Sequence, residues 1–208
     1  MAQVYNVDEN FDSSLFENSS CAFGVFDGVH KGHQYLLQCA KETAKECGGL
    51  SVALTFNIDP DELFHAERLK KLMSNERRIE MLSQSGVDAV IVLDFTYEFA
   101  ALSPHGFLDK TFKGHAPSHL HVGLDFKFGS KASGTVADLG EWGARNNTHI
   151  DAHNLKSADS KPITATRIRK LLAKHDLDEA KRLLGRPFSI YEEVKAGRGE
   201  GADLGFQT

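Results

Sequence analysis

Five consecutive apolar residues, Ala89 to Leu93, are the feature that most restricts the fold of this chain. A strand that is apolar on both faces must be covered on both faces, as in a parallel sheet flanked by helices. Residues 21–25 and 51–56 are further apolar runs of strand length, and residues 119–122 and 148–152 are two more strand candidates. Together with residues 88–93 they predict a parallel sheet.

Helical patterns lie between these runs. After Gly32, apolar residues recur at steps of three and four, which indicates one buried helix face that ends at Gly48-Gly49. Ser74 begins a second helix, and Ser103, followed by a proline, begins a third. Three further patterns cover residues 135–145, 164–174 and 176–184. The alternation predicts an α/β fold with a doubly wound parallel sheet, whose ligands lie near the point where strand order reverses.

Composition excludes several classes of protein. Acidic residues outnumber basic ones by 29 to 24, which argues against a general nucleic-acid surface. We see no apolar stretch of transmembrane length and, in residues 1–10, no secretory signal. Cys21, Cys39 and Cys47 lack metal-type spacing and are interpreted as buried small hydrophobic residues in a reducing compartment. We therefore expect a cytoplasmic protein with small-molecule substrates and no nucleic-acid or membrane partner.

A ten-residue string between the first strand and the first helix predicts a phosphate site. It reads Gly24-Val25-Phe26-Asp27-Gly28-Val29-His30-Lys31-Gly32-His33. Glycines let the backbone approach a ligand, and a helix start offers N–H groups and a positive dipole to an anion. Two histidines three residues apart project toward a common ligand and donate hydrogen bonds without a strong permanent charge. This combination favours phosphoryl or nucleotidyl transfer, in which a protein mainly positions groups and stabilises charge.

The same string resembles the signature of the HxGH nucleotidylyltransferase superfamily, and in particular the adenylyltransferase domain of bacterial bifunctional riboflavin kinase/FAD synthetases. Residues 55–60, 122–134 and 163–169 resemble three later segments of that family, in the expected order. Several motifs in order are more specific than any one alone. The resemblance implies a Rossmann-like nucleotidylyltransferase fold over residues 1–185.

The resemblance also implies a reaction and a set of residues. The chain is expected to be an FMN adenylyltransferase, an enzyme that transfers AMP from ATP to FMN and yields FAD and pyrophosphate. His30, His33 and Arg169 are implied as catalytic residues. ATP-binding roles fall to Gly24, Val25, Phe26, Asp27, Gly32, Asp125, Thr164, Thr166 and Arg167, and flavin-binding roles to Phe56, Asn57, Phe126 and Phe128. Mg²⁺ is expected to be bound through ATP oxygens and water, without a dedicated protein site.

Some of these residues have a second interpretation. Arg167 holds a variable position of the family pattern and fits a solvated helix surface equally well. The phenylalanines fit a strand in the core, and Asp125 fits a loop carboxylate in water. Thr164 and Ala165 replace two family serines, and residues 57–60 lack the family's histidine. These departures bear on the acceptor and the rate more than on ATP binding.

Two other functions therefore stay open. One is a nucleotidylyltransferase with a different phosphorylated acceptor, such as pantetheine phosphate, nicotinamide mononucleotide or glycerol phosphate. The other is a nucleotide- or flavin-sensing module that binds without turnover, which Ala165 and the expected loss of the kinase domain make credible.

The segment after Gly185 has a different character. Only 23 residues follow, and four glycines fall within residues 197–205. Residues 184–188 and 204–206 resemble the entrance to the family's riboflavin kinase domain, a small β-barrel that needs several paired strands. We expect residues 186–208 to be a truncated C-terminal appendage, a remnant of that domain's start, extended or disordered and without kinase activity. An unpaired strand there could form contacts in a homo-oligomer.

Overall fold

The computed structural model describes residues 1–65 and 70–190. In these residues the elements follow one another in this order: β1 (Gln3–Val7), β2 (Ser19–Phe23), α1 (Lys31–Cys47), β3 (Leu50–Phe56), α2 (Pro60–His65), α3 (Asn75–Ser83), β4 (Ala89–Leu93), α4 (Tyr97–Ala100), α5 (Pro104–Phe112), β5 (His119–Gly123), α6 (Val136–Asn146), β6 (His149–His153), β7 (Ser157–Ala158), β8 (Lys161–Pro162), α7 (Ala165–Ala173) and α8 (Leu177–Leu184). Short 3-10 turns occupy Ser13–Phe16, Asp27–Val29 and Ser130–Ala132.

The main sheet of the described residues has the strand order β1-β4-β3-β2-β5-β6, and every neighbouring pair is parallel. The predicted doubly wound α/β fold is confirmed, and each predicted strand is present within two residues of its predicted bounds. The chain proceeds from β2 toward one edge and later returns to place β5 on the other side of β2. The order therefore reverses between β2 and β5, where a crevice forms at the carboxyl ends of the strands.

Both faces of the sheet are covered. In β4 all five residues are buried, with Ile91 and Leu93 in one apolar cluster and Val90 and Val92 in the other. This alternation is what a strand apolar on both faces requires. Burial of each such side chain stabilises the fold by about 1.5–3 kcal/mol. Because β1 lies at an edge and is largely exposed, it has no apolar run, and the sequence analysis did not predict it.

Side-chain caps set most helix starts where the sequence predicted them. The hydroxyl of Ser74 accepts a hydrogen bond from the third N–H of α3, and Ser103 does the same for α5. Thr135 and Asp138 form a reciprocal capping box at α6. Gly48 ends α1 with a φ of 67°, a left-handed conformation that glycine adopts readily.

The prediction that all three cysteines are buried was wrong. Cys21 lies in the core, and burial raises the pKa of its thiol to about 12. Cys39 is half-buried and Cys47 is exposed. Cys47 shares the helical spacing of the buried face of α1, but it is the last residue of that helix, where the helix reaches solvent.

No helix in residues 1–65 and 70–190 is long and apolar enough to cross a membrane. Of the expected C-terminal appendage, residues 191–208 lie outside the described part of the chain. The predictions that concern those residues are not addressed by the structure.

Candidate active site

A cleft of about 880 Å³ opens at the carboxyl ends of β2 and β5. It is lined by the loop after β2, by residues 125–132 after β5, by residues 153–156 after β6 and by the start of α7. This is the point of strand-order reversal, where ligands bind in open α/β sheets.

Glycines shape the loop that joins β2 to α1. Phe26 and Gly28 have φ values of 60° and 78°, both left-handed. A Cβ at Gly28 would lie 2.5 Å from Cδ1 of Leu72, so a side chain does not fit there. At Gly32 a Cβ would lie 3.1 Å from Nδ1 of His30. The absence of a side chain at Gly32 therefore leaves room for the His30 ring.

His30 and His33 form a stacked pair at the start of α1. Their ring centroids are 3.6 Å apart and their planes differ by 17°. Nδ1 of His30 accepts a 3.3 Å hydrogen bond from the backbone N–H of His33, so His30 also caps the helix. A neutral imidazole carries its proton on one nitrogen only. Because Nδ1 is the acceptor, the proton of neutral His30 lies on Nε2.

Burial keeps both imidazoles neutral. His30 is 5% exposed, and burial, together with the charge of Arg186, lowers its pKa to about 4. The pKa of His33 lies well below its ordinary value, first because of burial and then because a proton on His33 would be repelled by the neighbouring His30 ring, were it protonated, and by Arg78. Among the described residues, Nδ1 of His33 has no hydrogen-bond partner although the atom is buried. A polar atom left in this state is costly, and a bound ligand or water can relieve that cost.

Arg169 reaches the cleft from α7 and is held by Asp27. Its Nη2 lies 2.6 Å from Oδ2 of Asp27, and that carboxylate also accepts the backbone N–H of Leu72 at 3.0 Å. Within the described part of the chain, Nε of Arg169 is buried without a partner. Thr164 caps the same helix through a 3.1 Å hydrogen bond from the N–H of Arg167. The start of α7 thus presents a helix dipole to the cleft, and Arg169 from the middle of the same helix adds a permanent cation.

A buried arginine supports the site from α3. Arg78 is 2% exposed. Its guanidinium donates to the carbonyl of Val25 at 2.8 Å, to Oγ1 of Thr55 at 2.6 Å and to the carbonyl of Phe56 at 2.8 Å. One side chain therefore ties the loop after β2 to the end of β3. The sequence analysis did not single this residue out.

Aromatic side chains line another part of the cleft. Phe126 packs between Phe23 and Phe128, with ring centroids 5.2 and 5.7 Å away. Phe56 and Phe128 are each 4% exposed. They belong to the main apolar cluster, as the core interpretation expected, and they line the cleft as well. Phe95 and Phe107 also line the cleft and were not predicted.

Comparison with known proteins decides the family. The model of the FAD synthetase family matches residues 12–167. The chain belongs to the FAD synthetase family. It is accordingly an enzyme of the nucleotidyltransferase type, as the sequence resemblance implied.

Curated relatives of this FAD synthetase family member are named bifunctional riboflavin kinase/FMN adenylyltransferase. The relative from Listeria monocytogenes is 33% identical over 92% of this chain and 61% of its own length. Those from Haemophilus influenzae and Escherichia coli K12 are 34% and 31% identical, over 93% and 96% of this chain and 64% of their own lengths. The chain therefore spans a little over three-fifths of these relatives.

A solved structure from Streptococcus pneumoniae, described as a macrolide-efflux protein, has a similar fold. Its TM-score to this FAD synthetase family member is 0.75 at 26% identity, over 90% of this chain and 72% of that one. This likeness supports the same architecture of a parallel sheet flanked by helices.

Most predicted site residues of the FAD synthetase chain line the cleft. They are Gly24, Val25, Phe26, Asp27, His30, Gly32, His33, Phe56, Asp125, Phe126, Phe128, Thr164 and Arg169. Three predicted residues do not line it: Asn57, Thr166 and Arg167. Their roles in binding ATP or flavin are therefore not supported by their positions.

Local contacts explain where these three residues lie. Oδ1 of Asn57 accepts the backbone N–H of Phe95 at 2.9 Å, and its Nδ2 donates to Asp94 at 2.6 Å. Thr166 is exposed on α7. The guanidinium of Arg167 donates hydrogen bonds to backbone carbonyls of the β7-β8 hairpin. Its Nη2 also donates to Oε1 of Glu179 at 2.9 Å.

The cleft also contains polar residues that the sequence analysis did not predict. Asp59 is 7% exposed, and burial raises the pKa of its carboxyl. Its position before Pro60, after an apolar strand, was the available signal. Lys127, Lys131 and Lys156 also line the cleft, and as loop lysines they had no distinguishing pattern.

Proposed function

We propose that this chain transfers the AMP moiety of ATP to FMN, giving FAD and pyrophosphate. The observation that carries the proposal is one continuous cleft with two chemically different parts. A stacked pair of neutral imidazoles lies at a helix start, and a phenylalanine wall lies in the same cleft. Imidazole and guanidinium donors suit a triphosphate, and an aromatic wall suits a flavin ring. The names of the curated relatives support the same assignment.

The phosphate end carries the chemistry in this proposal. An oxygen of the FMN phosphate attacks the α-phosphorus of ATP in line. The new P–O bond forms as the bond to pyrophosphate breaks, without a covalent enzyme intermediate. Nε2–H of His30 donates a hydrogen bond to an α-phosphate oxygen and keeps its proton. His33, stacked on the same ring, contributes the second neutral donor, and together they stabilise the charge of the transition state.

The departing pyrophosphate needs its own stabilisation. Arg169, in the middle of α7, lines the cleft and is held by Asp27, so little conformational freedom is lost when it binds an anion. The positive end of the α7 dipole, capped by Thr164, adds to this attraction. We assign Arg169 to the β- and γ-phosphates for this reason.

Magnesium fits this site as an ion that enters bound to ATP. Mg²⁺ prefers oxygen ligands and keeps several waters. Within residues 1–65 and 70–190, the cleft holds no set of three carboxylate or histidine side chains at metal-ligand spacing. We assign the ion to triphosphate oxygens and water, where it would neutralise phosphate charge.

Product analysis tests the proposal. The purified chain is incubated with ATP, Mg²⁺ and FMN, flavins are separated by chromatography and pyrophosphate is measured. We expect FAD and pyrophosphate in equal amounts. If pyrophosphate is released only when pantetheine phosphate, nicotinamide mononucleotide or glycerol phosphate is supplied, the acceptor is that compound and not FMN. Binding of ATP and FMN without any product would identify a binding module and reject the enzyme.

Three further properties stay predictions. They are the absence of riboflavin kinase activity from this chain, cytoplasmic localisation, and self-association through residues 186–208. Incubation of the chain with riboflavin and ATP, followed by a search for FMN, tests the first.

A further inference from the structure

A stripe of imidazoles crosses strands β5 and β6 outside the phosphate site. Alternate residues of a strand share one face, which places His119 with His121 and His149 with Asp151 and His153. The parallel register pairs His119 with His149 and His121 with Asp151. Four histidines and a carboxylate therefore share one face of the sheet edge, and the adenylyl-transfer proposal assigns no role to His119, His121, His149 or Asp151.

The donor atoms of this stripe lie close together. Oδ2 of Asp151 is 3.0 Å from Nδ1 of His119 and 3.7 Å from Nε2 of His121. One ligand atom from each of these three residues lies within 4.8 Å of the other two. Oδ1 of Asp151 is a further 3.4 Å from Nε2 of His149. The carboxylate is thus the centre of a group of imidazole nitrogens.

These spacings match a metal-ion coordination shell. Zinc binds histidine nitrogen and carboxylate oxygen at about 2.0–2.2 Å in a tetrahedron, so neighbouring ligand atoms lie about 3.3 Å apart. Nitrogen-rich sets select zinc and similar transition ions over magnesium, which prefers oxygen. We propose that His119, His121 and Asp151 bind one divalent transition-metal ion such as Zn²⁺, with water in the fourth position.

The surroundings of the three residues support this role. Nδ1 of His121 lies 2.9 Å from Nε2 of His153, and Nε2 of His121 lies 3.0 Å from Oγ of Ser20, a contact that a bound ion would replace. A metal-bound histidine usually has a partner such as His153 on its other nitrogen, which orients the ring. Nε2 of His119 lies 3.7 Å from Sγ of Cys47. His121 is 2% exposed, while the imidazole of His149 is 68% exposed. The site is therefore buried on the side of His121 and borders solvent on the side of His149.

A bound ion would cross-link the last two strands at the edge of the sheet. In the described sheet, β6 is the last strand and pairs only with β5. An ion held by two residues of β5 and one of β6 joins these strands across the register. The site is distinct from the cleft, because His119, His121 and Asp151 do not line it.

Metal titration tests the proposal. Full-length untagged chain is freed of metal with EDTA and titrated with Zn²⁺ and Co²⁺ against a chromophoric chelator, and native mass spectrometry counts the ions. We expect one ion per chain, tetrahedral-type visible absorption with Co²⁺ and a higher melting temperature with Zn²⁺. His119→Gln and Asp151→Asn should each weaken binding by about tenfold or more. In both variants Zn²⁺ should no longer raise the melting temperature.

His175→Asn is the matched control, because His175 is an exposed histidine with a positive φ that asparagine tolerates. It should bind Zn²⁺ as the wild type does. The proposal would be overturned if His175→Asn lost as much affinity for Zn²⁺ as the site variants. It would also be overturned if His119→Gln bound Zn²⁺ with wild-type affinity, or if the wild type bound no ion in a one-to-one ratio. X-ray absorption spectroscopy of the zinc-loaded wild type tests the site without any substitution, so the test remains valid if a variant fails to fold. Imidazole scattering is expected there, and a shell of oxygen alone would contradict the site.

Discussion

Arg78 donates a 2.6 Å hydrogen bond to Oγ1 of Thr55, and this buried contact joins α3 to β3 beside the loop that carries the two histidines. The same guanidinium satisfies the carbonyls of Val25 and Phe56. If Arg78 were absent, the Thr55 hydroxyl and the two carbonyls would stay buried and would lose the guanidinium as a hydrogen-bond donor. Arg78 is therefore a structural and electrostatic support of the site.

Replacing Arg78 by methionine should destabilise the protein. We expect Arg78→Met to lower the free energy of unfolding by about 3 kcal/mol, because buried carbonyls lose a charged donor. Urea denaturation measures this value. Arg77→Met is the control on the same helix, since Arg77 pairs with Glu80 at the surface, and it should cost less than about 1 kcal/mol. Equal effects of the two substitutions would contradict the role of Arg78.

The buried His30 predicts a pH dependence of stability. Its pKa is about 4 in the folded protein and about 6.5 in the unfolded chain. Between these values the unfolded chain binds a proton that the folded chain does not, so stability falls as the pH drops through this window. The contribution of this one group is about 3 kcal/mol, fully present above pH 6.5 and lost near pH 4.

Comparison with His30→Asn isolates that contribution. Asparagine retains a cap acceptor for α1 but does not titrate. The free energy of unfolding of this variant, measured by urea denaturation from pH 4 to pH 7, should depend less on pH than that of the wild type. Identical profiles would show that the folded His30 titrates normally.

Gly32→Ala should separate rate from stability. The new Cβ would lie 3.1 Å from Nδ1 and Cε1 of His30, so the ring must shift by a few tenths of an ångström. A small misplacement of a reacting group is costly, and we expect kcat to fall by about tenfold with little change in melting temperature. Gly140→Ala is the control, because a Cβ there meets no atom within 4 Å. It should leave kcat unchanged, and a similar loss of kcat in both variants would refute the steric explanation.

Arg167 and Arg169 should behave differently although they lie on one helix. Arg169→Lys removes the fork of donors that Asp27 holds in the cleft and should lower kcat/KM for ATP by about 100-fold. Arg167→Lys should lower the free energy of unfolding by about 1 kcal/mol through its hairpin and Glu179 contacts, with kcat/KM nearly unchanged. Steady-state kinetics and urea denaturation of both variants distinguish these outcomes. A large loss of kcat/KM in Arg167→Lys, with little loss in Arg169→Lys, would instead identify Arg167 as a phosphate ligand.

Local signals account for what the sequence predicted well. Caps such as Ser74 and Ser103 depend on residues three positions away, and the strand of residues 89–93 is specified by its own apolar character. The phosphate-site loop was also predictable, because its glycines and histidines are contiguous. Motif order then supplied the family.

Long-range contacts account for what the sequence did not reveal. Arg78 and Arg77 are adjacent on a polar helix, and only packing against β3 makes one of them buried. Arg167 is held by Glu179, twelve positions further along the chain. Asn57 is occupied by groups at the end of β4. In each case the partner comes from another element, which no local pattern encodes.

In the proposed reaction, two neutral imidazoles at the start of α1 stabilise the transition state at the α-phosphate of ATP. The most direct measurement is the single-turnover rate of FAD formation at saturating ATP, Mg²⁺ and FMN in the wild type, His30→Asn and His33→Asn. We predict rates lower by about 100- to 1,000-fold in each variant, with the Kd for ATP from calorimetry changed by less than about tenfold. Folded variants that form FAD within about threefold of the wild-type rate would contradict the account.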